Sequence, residues 1–99
     1  MDQRMLQKLL ADAQKGKKLL DKRMAEIENT TFSVSVGGNL INLSANGKYE
    51  ILSCTISPDA LSDVETLQDL VVSAFNDLVK KVQEEVKKVE ASFVPKMPF

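Results

Sequence analysis

The sequence predicts a two-layer α+β fold: a long N-terminal helix, a three-stranded antiparallel meander and a long C-terminal helix, assembled as a dimer. Apolar residues recur at three- and four-residue steps over residues 3–28 and 64–92, which is the helical period. Between these segments the period changes to two, and Gly37-Gly38 and Asn46-Gly47 are turn signals. The 99 residues are 43% hydrophobic and 27% charged, which is typical of a single globular domain.

The first helix is predicted over residues 3–28, where no proline interrupts the pattern. Its apolar positions are Leu6, Leu9, Leu10, Ala13, Leu20, Met24 and Ile27. Glycine inside a helix costs about 1 kcal/mol relative to alanine. Because Gly16 lies within the polar segment 14–18, we expect the helix to weaken or bend there.

The middle of the chain is predicted to form three short strands. The first begins at Thr31, the second spans about residues 39–45, and the third spans about residues 48–56. In the first two strands, the apolar side chains assigned to one face are Phe32, Val34, Val36, Ile41, Leu43 and Ala45. Asn46-Gly47 is the strongest short hairpin signal, so tight turns between sequential strands predict a meander.

The inventory of reactive side chains argues against an enzyme. Cys54 alternates with Leu52 and Ile56 on the third strand, so we expect it to be a small core residue. A single cysteine cannot form an intramolecular disulfide. The chain has no histidine, which removes the usual zinc sites, Ser-His-Asp triads and Cys–His pairs. We therefore expect no catalytic residue, no metal and no cofactor.

The second long helix is predicted to follow a break at Ser57-Pro58-Asp59. Ser62-Asp63-Val64-Glu65 has the spacing of a capping box, with Ser62 as the N-cap and Glu65 as its partner. No glycine or proline occurs from there to about residue 92. Two prolines then predict an extended tail over residues 93–99, after a single domain over residues 1–92.

The dimer prediction depends on the lengths of the elements. A helix of about 28 residues is about 42 Å long, whereas a strand of about seven residues is about 23 Å long. The helices must overhang so small a sheet, yet the apolar pattern of the second helix continues to Val89. A second copy that covers this pattern is the economical hypothesis. The predicted interface residues are Leu70, Ala74, Phe75, Leu78 and Val82.

Several motifs follow one another in a recurring order. A glycine precedes an alternating apolar strand, and Asn-Gly, Ile-x-Pro at residues 56–58, D-x-E-x-L-x-D-L-V at residues 63–71 and A-F-N-D at residues 74–77 come next. In this order and spacing the chain resembles the YbaB/EbfC family of bacterial nucleoid-associated proteins. The resemblance implies an α+β homodimer with protruding, tweezer-like helices that binds duplex DNA with little sequence preference.

Basic residues on the two helices are the candidate DNA contacts. Lys15, Lys18 and Lys22 recur at three- and four-residue steps, and such a row could meet successive phosphates of a duplex. The alternative for these lysines is a solvated face, and for Lys80, Lys81 and Lys88 it is pairing with glutamates one turn away. The full candidate set is Lys8, Lys15, Lys17, Lys18, Lys22, Arg23, Lys80, Lys81, Lys87 and Lys88. The third strand has no basic residue, so we expect contacts from the helices.

These observations predict a nucleoid-associated homodimer that binds double-stranded DNA with low sequence specificity, with a gene-regulatory role left open. No apolar run approaches the ~20 residues of a membrane-spanning helix, and no secretory signal is visible. We therefore expect the cytoplasm and nucleoid, with no membrane and no small-molecule substrate as partner. The alternative is a non-catalytic structural or adaptor dimer that binds another protein, which the net charge of −2 over residues 62–99 and the acidic pI of about 5.4 favour.

Overall fold

A computed structural model describes residues 2–93 and confirms the predicted class and order of elements. The elements are α1 (Gln3–Glu28), β1 (Thr31–Val36), β2 (Ile41–Asn46), β3 (Ile51–Ile56), a 3-10 helix (Pro58–Ser62) and α2 (Val64–Phe93). The sheet is antiparallel with strand order β1-β2-β3. Phe93 is the last described residue of α2, and the rest of the predicted tail, residues 94–99, lies outside the described residues.

Helix α1 is continuous through Gly16, so the glycine does not interrupt it. At its start the Asp2 carboxylate accepts a hydrogen bond from the Arg4 backbone N–H at 3.2 Å. At its end the Thr30 hydroxyl donates to the Glu26 carbonyl oxygen at 2.7 Å. Satisfied backbone groups at both ends favour the helix, and the local cost of one glycine does not break it.

The core lies between α2, the end of α1 and one face of β1 and β2, because α2 packs across these two strands. The predicted alternation of β1 and β2 is confirmed, with Phe32, Ile41, Leu43 and Ala45 buried. The buried core cluster consists of Ile27, Phe32, Ile41, Leu43, Ala45, Ala74, Leu78 and Val82. Burying each large apolar side chain stabilises the fold by roughly 1.5–3 kcal/mol.

The turn between β2 and β3 is longer than the predicted two-residue hairpin. Tyr49, not Gly47, has the positive φ, at 65°. Its backbone N–H donates to the Asn46 carbonyl oxygen at 3.1 Å, while the Asn46 side chain accepts from the Lys48 N–H at 2.9 Å. Gly47 is needed for close packing and not for its φ, because a Cβ there would overlap the carbonyl oxygen of Ile27. The glycine therefore lets the end of α1 dock on the turn.

Strand β3 is on the open side of the sheet. Cys54 is the partner of Leu43 and Ile56 the partner of Ile41, which places both on the side that carries the core. All six residues of β3 are nevertheless exposed. The prediction that Cys54 is a core residue is therefore wrong for the single chain, because α2 covers β1 and β2 but does not extend over β3.

The N-cap of α2 is Asp63, which corrects the predicted capping box. Its carboxylate accepts from the backbone N–H groups of Glu65 at 3.1 Å and Thr66 at 3.3 Å, and from the Thr66 hydroxyl at 2.8 Å. These hydrogen bonds hold the pKa of Asp63 below its ordinary value, and the bond from the Thr66 hydroxyl has the largest effect. Ser62 instead donates its hydroxyl to the Asp59 carbonyl oxygen at 3.0 Å. A carboxylate has acceptor sites for all three donors, whereas a single hydroxyl does not.

Candidate nucleic-acid and dimer surfaces

Helices α1 and α2 run antiparallel and form an arm that extends from the sheet. Ile27 and Val82 meet in the core, and further out Leu19 and Phe93 line one cleft. The 26 residues of α1 correspond to about 39 Å, and the molecule measures 72 × 30 × 15 Å. Residues 3–15 of α1 therefore continue beyond the last described residue of α2.

Four of the predicted DNA contacts on α1 share one face of the helix. At about 100° per residue, Lys8, Lys15, Lys18 and Lys22 fall within a sector of about 80°, and all four are exposed. This face is opposite the positions that pack on the rest of the chain. We call these four residues, together with the exposed Arg4, the basic row, and it is about 27 Å long.

Arg4 was not among the predicted contacts. It precedes Lys8 by four residues, so the same helical step that groups the lysines also places the Arg4 side chain on their face. The sequence therefore contained this signal, and extending the row by one turn would have found it.

Lys17 and Arg23 lie on either flank of α1, outside the basic row. The Arg23 guanidinium is 3.5 Å from the Glu26 carboxylate, and both side chains are more than half exposed. Such a surface pair contributes little stability. Arg23 also lines the outer cleft with Lys88, so these two predicted contacts from different helices are brought together.

The lysines of α2 have different surroundings. The Lys81 ammonium donates to the Ser33 carbonyl oxygen of β1 at 2.7 Å, so it binds the free edge of the sheet. Lys80 and Lys87 are exposed and seven residues apart, which places them on one outward face of α2. Within residues 2–93, Arg23–Glu26 is the sole ion pair, so the pairing of these lysines with glutamates one turn away is not formed.

Not all of the predicted dimer-interface residues are exposed, so not all of them are accessible to a second copy. Ala74, Leu78 and Val82 are at most 2% exposed and form the protomer's own core. Leu70 is half-buried against Gly37. Phe75 is 41% exposed and is the member of the predicted set that remains accessible.

An exposed apolar surface lies beside Phe75 and was missed by the sequence prediction. Tyr49 and Ile51 line a groove together with Phe75 and Val79. The surface continues along the neighbouring exposed residues of β3 and α2. We call it the β3–α2 face and define it as Tyr49, Ile51, Cys54, Ile56, Val72, Phe75 and Val79.

The described part of the chain offers neither a membrane span nor a cluster of metal ligands. None of its helices has an 18-residue stretch that is apolar enough to cross a membrane. Between residues 2 and 93, no group of three His, Cys, Asp or Glu side chains is placed to hold a metal ion.

Comparison with known proteins identifies the relatives of this chain. The sequence model of the YbaB/EbfC DNA-binding family matches residues 2–97. A nucleoid-associated protein of Ruminiclostridium cellulolyticum is 46% identical over 78 residues, which cover 77% of this chain and 68% of the relative. A nucleoid-associated protein of Streptococcus thermophilus is 34% identical over 99 residues, which cover 95% of this chain and 97% of the relative.

A solved structure has the same fold. The crystal structure of the uncharacterized protein HP0035 from Helicobacter pylori matches with a TM-score of 0.75 at 28% identity, covering 96% of this chain and 99% of that chain. The family model and the relatives place the chain among nucleoid-associated DNA-binding proteins. It belongs to the YbaB/EbfC DNA-binding family, which confirms the resemblance inferred from the motifs.

Proposed function

We propose that this protein is a homodimer that binds duplex DNA with little sequence preference, in the cytoplasm on the nucleoid. The basic row of α1 carries this proposal. Its cations lie on one exposed helix face, opposite the packed side, and no acidic partner lies within 4.0 Å of them among the described residues.

The chemistry of the basic row suits phosphates better than bases. Duplex DNA carries about one negative charge per 1.7 Å of helix axis, so a row about 27 Å long can neutralise several phosphates. Lysine ammonium groups act as point charges on flexible stems, and contacts of this kind position a protein without reading sequence. We therefore expect binding that is modest, insensitive to sequence and strongly dependent on salt.

The β3–α2 face supports the dimer. Ile51 is 45% exposed, Phe75 41% and Val79 38%, and they share one groove. A contiguous exposed apolar surface of this kind marks an interaction site. A second copy that covers it would bury several large side chains, each worth roughly 1.5–3 kcal/mol. The dimer would then present two arms, each with its own basic row.

The test is a titration of the full chain with a duplex at low and at high salt. The informative variant is Lys15→Glu with Lys22→Glu, which reverses two charges on the basic row. Its matched control is Lys17→Glu with Arg23→Glu, which makes the same charge change on the flanks of the same helix. We expect the row variant to bind at least about tenfold more weakly than the control. Its salt slope should be shallower by about 0.9 for each phosphate that the variant no longer neutralises.

Two results would overturn the proposal in different ways. A wild-type chain that binds no duplex even at low salt would reject the function and favour the adaptor alternative. Equal weakening in the row and control variants, with circular dichroism showing both folded, would reject the basic row as the site. Equal affinity of the wild type for duplexes of unrelated sequence is expected, and a strong preference for one of them would contradict the low specificity.

A further inference from the structure

The half of α1 that is farthest from the sheet has an exposed apolar surface. Its residues, which we call the α1 stripe, are Met5, Leu6, Leu9, Leu10 and Ala13. The four large side chains are between 49% and 59% exposed. By helical period the α1 stripe continues the side of the helix that packs inward at Met24 and Ile27. The same side of one helix is thus covered near the sheet and exposed beyond it.

The α1 stripe and the basic row lie on opposite sides of the same helix. At about 100° per residue, the centre of the stripe is roughly 170° from the centre of the row. The cations of the row, from Arg4 to Lys22, are all exposed. A duplex bound to the row therefore leaves the stripe on the side that faces away from the DNA.

We propose that the α1 stripes of two dimers pair with each other in an antiparallel arrangement, and that the paired dimers bridge two duplexes. When two stripes face each other, the two basic rows point outward on opposite sides of the helix pair. Each row can then hold its own duplex. The pairing depends on the stripe alone, whereas the bridging rests on the DNA binding proposed above.

Charged residues at the two ends of the stripe favour the antiparallel arrangement. Asp2 precedes the stripe as the N-cap of α1, Lys17 follows it within about 50° of its centre, and both are exposed. In an antiparallel pair that places Leu9 opposite Leu10, Asp2 of each copy faces Lys17 of the other. A parallel pair would place like charges opposite each other. Opposite charges across a contact fix its register and disfavour the wrong arrangement.

The apolar side chains are complementary in size in the same register. Leu6 of each copy faces Ala13 of the other, while Leu9 and Leu10 meet at the centre. Large side chains opposite small ones let two apolar layers interdigitate. The register that pairs the charges therefore also packs the stripe.

The size of the stripe indicates a weak contact. Stable specific interfaces bury at least about 1,200 Å², and two stripes, each with four half-exposed large side chains, offer less than this. The stripe is therefore too small to hold the dimer itself together, which leaves that role to the β3–α2 face. Weak pairing is sufficient for bridging, because each dimer has two arms and DNA holds many dimers close together.

Sedimentation velocity of the full chain without DNA, from micromolar to millimolar concentration, tests the pairing. The variant is Leu9→Glu, and its matched control is Gln14→Glu, which makes the same charge change on the flank between the stripe and the basic row. Leucine, glutamine and glutamate have similar helix propensities, so α1 persists in both variants. We expect the wild type and the control to form species larger than a dimer as the concentration rises. Leu9→Glu should need at least about tenfold higher concentration to form them.

Two sedimentation results would overturn the proposal. One is a wild-type mass that stays that of a dimer over the whole range. The other is a Leu9→Glu variant that changes the urea midpoint but leaves the association unchanged, because the stripe would then be covered within the dimer.

A charge exchange tests the antiparallel register. Lys17→Asp should weaken the association, and adding Asp2→Lys to the same chain should restore it, because each pair then has opposite charges again. A double variant that associates no better than Lys17→Asp, with circular dichroism showing α1 intact, would overturn this register.

Capture of a second duplex tests the bridging. One duplex is fixed to beads, a labelled duplex of unrelated sequence is added with the protein, and the retained label is measured. Leu9→Glu should retain at least about tenfold less label than the wild type and Gln14→Glu, with an unchanged affinity for a single duplex in titration. Equal retention by Leu9→Glu and the wild type would overturn bridging through the stripe. A wild type that binds no single duplex rejects the proposed function instead, and the sedimentation result then decides on the pairing by itself.

Discussion

The two edge strands of the sheet have opposite surroundings. On β1, Phe32 is buried, Val34 is half-buried under α2, and the Lys81 ammonium binds the Ser33 carbonyl oxygen at the free edge. On β3, every residue is exposed and no residue of Ile51–Ile56 is charged. An edge strand presents unpaired backbone groups to other chains unless charge or another element protects it. The protomer is therefore complete on the β1 side and open on the β3 side.

This difference supports the proposal that a second copy binds on the β3 side. α2 is positioned over β1 and β2, so its other flank, with Val72, Phe75 and Val79, is open on the same side as β3. The open flank of α2 and the open side of β3 both belong to the β3–α2 face. A protein with one protected and one unprotected edge can form a closed two-fold pair, in which the same surface of each copy is used.

The largest expected effect is the difference in stability between a variant in the core and a variant on the open strand β3. Leu43→Ala removes a side chain that is 2% exposed, and should lower the free energy of unfolding by about 2–5 kcal/mol. Thr55→Ala on β3 is the control, and as an exposed surface change it should stay within about 0.5 kcal/mol. Urea unfolding measures both. Similar destabilisation by the two variants would contradict the contrast between the strands.

The next effect concerns the β3–α2 face directly. Ile51→Asp places a charge in the groove with Phe75 and Val79, so it should weaken dimer association by about 2 kcal/mol or more. Ser53→Asp introduces the same charge on the opposite side of β3 and should leave association unchanged. Sedimentation velocity across a concentration series gives the dissociation constants. A stable dimer of the Ile51→Asp variant would move the interface elsewhere.

A smaller effect tests the protection of the β1 edge. Lys81→Ala removes the donor to the Ser33 carbonyl oxygen and should lower the free energy of unfolding by about 1 kcal/mol. Lys80→Ala, one residue earlier and on the outward face, is the control and should have no measurable effect on stability. If thermal unfolding gives equal midpoints for the two variants, Lys81 does not protect this edge.

The smallest expected effect concerns the Asp63 cap at the start of α2, which follows β3 and the short 3-10 helix. The pKa of Asp63 is lowered by the Thr66 hydroxyl and by two backbone N–H groups, so its ionised form contributes stability. That contribution is full above the unfolded-state pKa of about 3.8 and is lost as the pH falls through the lower folded-state pKa.

Asp63→Ala should therefore lower the urea midpoint at pH 7 and lie closer to the wild type at pH 2–3. Ser62→Ala should affect the midpoint less at neutral pH, because the Ser62 hydroxyl donates to Asp59 and does not cap α2. A larger decrease for Ser62→Ala would restore the capping box as the sequence suggested it.

The sequence was sufficient to predict the elements, because periodicity reports which side chains share a face. It could not show whether another element covers that face. Cys54 and Leu43 have equivalent alternation on adjacent strands, yet α2 covers only Leu43. Likewise, three lysines at helical spacing predicted most of the basic row. By contrast, the hydrogen bond from Lys81 to Ser33 joins residues 48 positions apart, so no local sequence pattern predicts it.

The central claim is that a second copy completes the open β3 side. Sedimentation equilibrium of the wild-type chain at micromolar concentration tests it most directly. We expect a particle of twice the 11.0 kDa chain mass. A particle with the mass of one chain over the whole concentration range would contradict the account.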